Sequence, residues 1–156
     1  MSDLFASLGA YGGAALSSFA FGLIPFNPDL PLFAISATLL DSPSQLPLLV
    51  TIATVAHVIA KVITYYLGIQ LLRLPRGRFK RVIEKAQARL DDPTSRWARW
   101  PKVIVFVSSV VGLPPLYVIG FVASAMRVRI VPFIVLVTIG RVIHFGVVAG
   151  LPWIAW

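Results

Sequence analysis

The chain has no cysteine, which excludes a disulfide framework, a thiol nucleophile and any Cys-ligated metal. Charge is scarce too: 13% of the 156 residues are Asp, Glu, Lys or Arg, where a soluble domain carries about a quarter. Only six residues are acidic and two are histidine. Two histidines in different apolar segments, without a carboxylate triad, make no metal site. Ser108 and Ser109 have no nucleophile elbow around them. Catalysis is therefore not the expected activity, and no cofactor is expected. The opening residues, MSDLFASLGAYGG, carry no positive charge, so they do not read as a cleaved signal peptide.

What the chain does have is apolar length. It is 58% hydrophobic with a mean hydropathy of +0.86, the composition of an integral membrane protein. Residues 46–72 and 131–156 are each long enough to span a hydrocarbon core of roughly 30 Å. Two further stretches, 4–40 and 102–126, are apolar but interrupted. The first breaks at FGLIPFNPDLP (21–31), the second at VVGLPPLY (110–117). Net charge is +8, and ten of the fourteen Lys and Arg fall within residues 73–102. In a membrane protein such a block marks a cytoplasmic connector facing anionic lipid, and nucleic acid is not the expected partner. Phe79, Val82, Ile83, Ala86 and Leu90 recur near helical spacing among these cations, which predicts an amphipathic surface helix.

Charge also sets the expected topology. Arg127 and Arg129 follow the second interrupted stretch immediately. A full crossing would place both outside, against the positive-inside bias, whereas a hairpin that enters and returns keeps them in the cytoplasm. PLFAIS (31–36) aligns with PLYVIG (115–120), and AKVITY (60–65) with GRVIHF (140–145). Each half is thus a proline-broken segment followed by a span with a cation near its middle. The expected fold is an all-α polytopic membrane protein: two re-entrant helical hairpins plus transmembrane helices in an inverted repeat. Pro28, Pro31, Gly112, Pro114 and Pro115 would form the hairpin tips. The alternative for the first break is an extracellular loop between two short helices. The expected divisions are an N-terminal surface helix (1–13), a first half (14–72), the basic connector (73–101) and a second half (102–156). The expected location is the cell (inner) membrane, crossed several times, with the connector in the cytoplasm.

Lys61 and Arg141 lie about 15–18 Å deep by helical rise, where a lipid-facing charge costs about 2.5–3.5 kcal/mol. Both should face a polar cavity or a partner. His57 is one turn from Lys61, and His144 is similarly placed from Arg141. Asp29 and Asp41 are the only acids outside the N-terminus and the connector. Two readings stand: a structural ion pair of Asp29 with Lys61 or Arg141, or a coupling and substrate site built from the same groups.

At IPFNPDLPLFAISA and GLPPLYVIGFVASA the chain resembles the DedA family, also called the VTT or SNARE-associated Golgi protein superfamily, over roughly residues 20–156. The resemblance implies opposed re-entrant hairpins and proton-dependent transport, or flipping and scrambling of lipids. The family's acidic position after a proline is matched by Pro28-Asp29, its second acidic position by Asp41, and its GR motif by Gly140-Arg141. Its R-x-x-P-x-x-R signature is not matched, since VVGLPPL (110–116) has no arginine. The expected activity is movement of an anionic substrate across the bilayer, a phospholipid or lipid-linked phosphate. Asp29 and Asp41 would couple protons, and Lys61, Arg141, His57 and His144 would bind substrate. A homodimer is expected because so short a chain offers few cavity walls. The alternative is a scaffold that transports nothing and whose buried charges only lock its packing.

Overall fold

The computed structural model describes residues 2–24, 29–73, 100–112, 120, 123–124 and 128–155. The expectations for Pro28, Pro114, Pro115 and residues 74–99 of the connector lie outside the described residues. Regular structure among the described residues is helical, with no strand: α1 (Ser2–Leu23), α2 (Asp29–Thr38), α3 (Leu46–Arg73), α4 (Pro101–Val111) and α5 (Ile130–Ala155).

Local chemistry explains the helix ends. Pro101 opens α4 at a position whose N–H would have no helical acceptor. Gly112 closes it in the left-handed region (φ 79°), with its N–H returned to the Ser108 carbonyl. Asp29 begins α2 and Pro31 falls in its first turn. Ser42 caps the 3-10 turn Pro43–Gln45 that leads into α3 by accepting from the Ser44 N–H. Helix α1 runs unbroken past residues 13 and 14, so residues 2–13 and 14–23 form one helix.

Helices α3 and α5, at 28 and 26 residues, are about 42 and 39 Å long, and both are apolar enough to cross a membrane. Most of each is exposed, and the exposed face is the apolar one. On α3 it carries Val55, Ile59, Ile63 and Leu67; on α5, Val135, Ile139, Val142, Ile143 and Val147. The buried stripe of α3 holds Thr54, His57, Lys61 and Thr64 at helical spacing, and Arg141 is buried on α5. A protein in water shows the reverse distribution.

Side-chain contacts give the directions. Ser18 pairs with His57 and Gly22 with Lys61, at a constant separation of 39 residues, so α1 and α3 run parallel. Gly13 lies against Ile35, so α2 turns back along α1. Ser109 packs on Gly140, and Val110 bonds His144, so α4 and α5 are also parallel. Between α3 and α5 the order is opposed: His57 meets Phe145, and Tyr65 meets Phe133. The helix that returns from the first break, α2, packs on α5 through Asp29 and Ser36. In the second half, Gly120 lies against Thr64 of α3.

Two apolar clusters flank the middle. Ala10, Ala14, Leu32, Leu49, Ala53, Phe145 and Ala149 belong to one, and Tyr65, Val105, Val128, Phe133 and Val137 to the other. Between them lie the ends of α1 and α4, the start of α2, and the buried charges.

Candidate functional site

Three broken helix ends meet beside the centres of α3 and α5, and each leaves backbone groups without a helical partner. The two spans supply partners from side chains. The Lys61 ammonium, 1% exposed, donates to the Gly22 carbonyl in the last turn of α1. His144 Nδ1 donates to the Val110 carbonyl in the last turn of α4, at 2.7 Å. A positive or polarised donor at a helix C-terminus also opposes the negative end of its dipole. A buried helix end requires this kind of satisfaction from within the protein.

The other ring nitrogen of His144, Nε2, is 2.8 Å from Asp29 Oδ1 at the start of α2. One imidazole therefore touches the end of one interrupted segment and the beginning of the other. His57 is held differently. Its Nδ1 donates to the Ser18 carbonyl at 3.1 Å, its ring stands edge-on to Phe145, and its buried Nε2 has no partner among the described residues.

Arg141 is 2% exposed, and its guanidinium carbon lies 5.3 Å from the centre of the Phe145 ring. That contact uses the ring face and satisfies no N–H. Arg141 Nε and Nη1 are buried without an acceptor among the described residues. Lys61 and Asp29 are both within electrostatic reach of this guanidinium. Two cations and one carboxylate thus lie near one another, the cations buried and Asp29 28% exposed. Ser18 Oγ and Thr54 Oγ1 are also buried, with no partner among the described residues.

Five of the six expected site residues are brought together: Asp29, His57, Lys61, Arg141 and His144. Asp41 is not. It is exposed in the turn between α2 and α3, where its backbone N–H donates to Gln45 Oε1. Lys61 is fifteen residues beyond the start of α3, or about 22 Å by helical rise. Its place on a connecting turn, rather than on a helix face, keeps Asp41 out of the cluster. Gly112 lies at the site, with a built Cβ 3.8 Å from His144 Cε1. Ser109 instead donates to Val105 and packs on Gly140, away from any nucleophile role with His144.

The pairing of Asp29 with His144 was not expected. The available signal was that His144 shares a helix face with Arg141, which made both equally near to an acid at mid-depth. Compared with protein-family models, curated proteins and solved structures, the chain matches none.

Proposed function

We propose that the protein is a multi-pass transporter of the cell (inner) membrane that moves an anionic substrate across the bilayer, with protons as the coupling ion. The observation that carries this reading is Arg141: a guanidinium near the middle of α5, buried, with two N–H-bearing nitrogens lacking acceptors among the described residues. An unpaired buried charge is costly, and a bound anion offsets that cost. Lys61 nearby leaves the cluster with more positive than negative groups, which suits phosphate chemistry. A phospholipid or lipid-linked phosphate fits a site whose surroundings are lipid-facing helices, and the resemblance to the DedA family points the same way.

The helix directions support an inverted repeat. In each half the first arm runs parallel to its own span, the two spans run opposite ways, and α2 packs on the span of the other half. In this reading the hairpins are opposed and end at mid-membrane, and the cations of the connector put it in the cytoplasm. Asp29 is the proton-coupling carboxylate, and Asp41 is left outside the mechanism by its position. The scaffold reading accounts for Lys61 and His144, which satisfy helix ends. It gives no role to the open donors of Arg141.

The test is transport by purified protein in liposomes, against a panel of lipid phosphates and free phosphates, with and without an inward proton gradient. The expected result is gradient-dependent movement of a phosphate-bearing substrate that is lost in Arg141→Met and kept in Arg89→Met. Equal movement in both variants would overturn the anion site.

A further inference from the structure

The buried polar atoms without a partner among the described residues are not all of one kind. Nε and Nη1 of Arg141 carry hydrogens and need acceptors. His57 Nε2 is the opposite case. Its ring bonds the Ser18 carbonyl at 3.1 Å only through a hydrogen on Nδ1, so the neutral ring keeps a lone pair at Nε2. The other neutral tautomer would lose this bond and bury an N–H without an acceptor. An imidazolium would set a third positive charge with Arg141 and Lys61, and its Nε2 hydrogen would still be unpaired. His57 Nε2 is therefore a buried acceptor that needs a donor.

Its surroundings supply none. The hydroxyls of Ser18 and Thr54 are themselves unpaired, so neither reaches Nε2, and neither do the open nitrogens of Arg141. Yet the guanidinium and the imidazole pack on one ring. Arg141 lies 5.3 Å from the centre of Phe145, and His57 stands edge-on to the same ring at 5.5 Å. Arg141 also acts on His57 electrostatically more strongly than Lys61 does. Donors and an acceptor thus lie near one another, buried and unjoined. A group that joins them offers lone pairs to one and a hydrogen to the other.

The bond to Ser18 adds little to the fold, since Ser18 lies inside α1, where the helix supplies its carbonyl with a donor. What that bond does is fix the ring and its tautomer, which leaves the lone pair of Nε2 open.

We infer, resting on the anion site proposed at Arg141, that His57 reads a hydrogen-bond donor on the substrate, which is then a phosphate carrying its own donor beside its ionised oxygens. Two chemistries meet this condition: the acid hydroxyl of a phosphate monoester, and a hydroxyl on the headgroup of a phosphodiester. A diester with an alkyl headgroup satisfies Arg141 and leaves Nε2 sealed from water without a partner. A choline headgroup has no donor either, and it brings a positive charge towards two cations. Arg141 holds the charge, and His57 sets the specificity.

The test is equilibrium binding of three dioctanoyl lipids to the purified protein in detergent, where no gradient exists. The lipids are phosphatidylglycerol, phosphatidylpropanol and phosphatidate. The first two share their charge and three headgroup carbons, but only the glycerol carries hydroxyls. Phosphatidate supplies an acid hydroxyl instead. The parent is expected to bind at least one donor lipid about three- to tenfold tighter than phosphatidylpropanol, the range of one net hydrogen bond. His57→Leu should close that gap. A gap with phosphatidate assigns the hydrogen to an acid hydroxyl, and a gap with phosphatidylglycerol assigns it to the headgroup. No gap in the parent, the result if a trapped water serves Nε2, overturns the role of His57 without recourse to any variant. A gap that persists in His57→Leu overturns it as well. Arg141→Met should weaken all three lipids by a similar factor. If none of the three binds the parent, or all bind Arg141→Met as tightly as the parent, the anion site itself falls.

Discussion

Lys61 and Arg141 are each buried near the middle of a long apolar helix, one on α3 and one on α5, yet the protein treats them differently. Each follows a close backbone approach: Gly22 of α1 against Ala60, and Ser109 of α4 against Gly140. Each is almost fully buried. Lys61 spends its charge on a helix end, donating to the Gly22 carbonyl. In the second half the equivalent task, satisfying the end of α4, falls to His144. Arg141 is thereby released from a structural duty and keeps donors in reserve. Burial alone does not distinguish a functional cation from a structural one; the count of its satisfied hydrogens does.

The most decisive break in the comparison would be a shared rather than opposed orientation of the halves. Single cysteines at Ser44 and at position 127 should label from opposite sides of the membrane, with Ala88 in the connector labelling on the same side as 127. Labelling of position 127 from the outside would remove the inverted arrangement, and with it any correspondence between Lys61 and Arg141.

Next in size is the effect of removing each cation. Arg141→Met should lower transport on the order of 100-fold or more, since two charge-assisted hydrogen bonds to a substrate are lost. Its folding stability should stay within about 1 kcal/mol of the parent, because the lost contact with Phe145 and attraction to Asp29 are offset by relief of a buried charge and of its repulsion with Lys61. Lys61→Met should do the opposite. It leaves the Gly22 carbonyl unsatisfied at a helix end, and stability should fall by about 1–3 kcal/mol, with a smaller loss of transport. Chemical denaturation in detergent beside liposome transport reads both. A stable but inactive Lys61→Met would put the two cations back on equal terms.

That division of labour was only partly legible in the sequence. Hydropathy and length identify α3 and α5, and proline and glycine mark the breaks near Pro31 and Gly112. Helical spacing puts His57 with Lys61, and Arg141 with His144. Depth and face are properties of one helix, and one helix's sequence carries them. The partner of each group is not such a property. Asp29 reaches His144 across 115 residues of chain, and only the packing of α2 on the other half's span brings them together. From sequence, His144, Lys61 and Arg141 were all at plausible depth for Asp29. Asp41 misled for a related reason. The family resemblance implied a second site acid there, but α2 ends at Thr38 and places Asp41 on an exposed turn.

The close approaches offer a smaller test. At Gly140 a methyl would overlap Ser109 Cβ and press on the backbone of Ser109 and Val110. Gly140→Ala should therefore destabilise the fold by about 1–3 kcal/mol, the usual cost of overpacking. Ser109→Gly in the same chain should recover part of this by removing the opposing Cβ, though the backbone contacts remain and a glycine inside α4 costs about 1 kcal/mol. Additive losses in the double variant would show that the two helices do not meet there.

The smallest effect separates the two histidines. His57 donates to the Ser18 carbonyl, which lies inside α1, where the helix already supplies a donor from four residues on. His144 donates to the Val110 carbonyl in the last turn of α4, where the described residues supply no such donor. His57→Leu loses a second bond to an oxygen that is already satisfied, and it also removes the unpaired Nε2 from the interior. These changes oppose each other, so stability should shift by less than about 1 kcal/mol. His144→Leu removes the donor to the Val110 carbonyl and the contact with Asp29, and it should cost about 1–3 kcal/mol. Equal losses in the two variants would mean that the helix-end carbonyl gains nothing from its imidazole. A fall in transport of tenfold or more in His57→Leu, with melting unchanged, would instead assign the open Nε2 to a donor on the substrate, and His57 would then join Arg141 rather than Lys61.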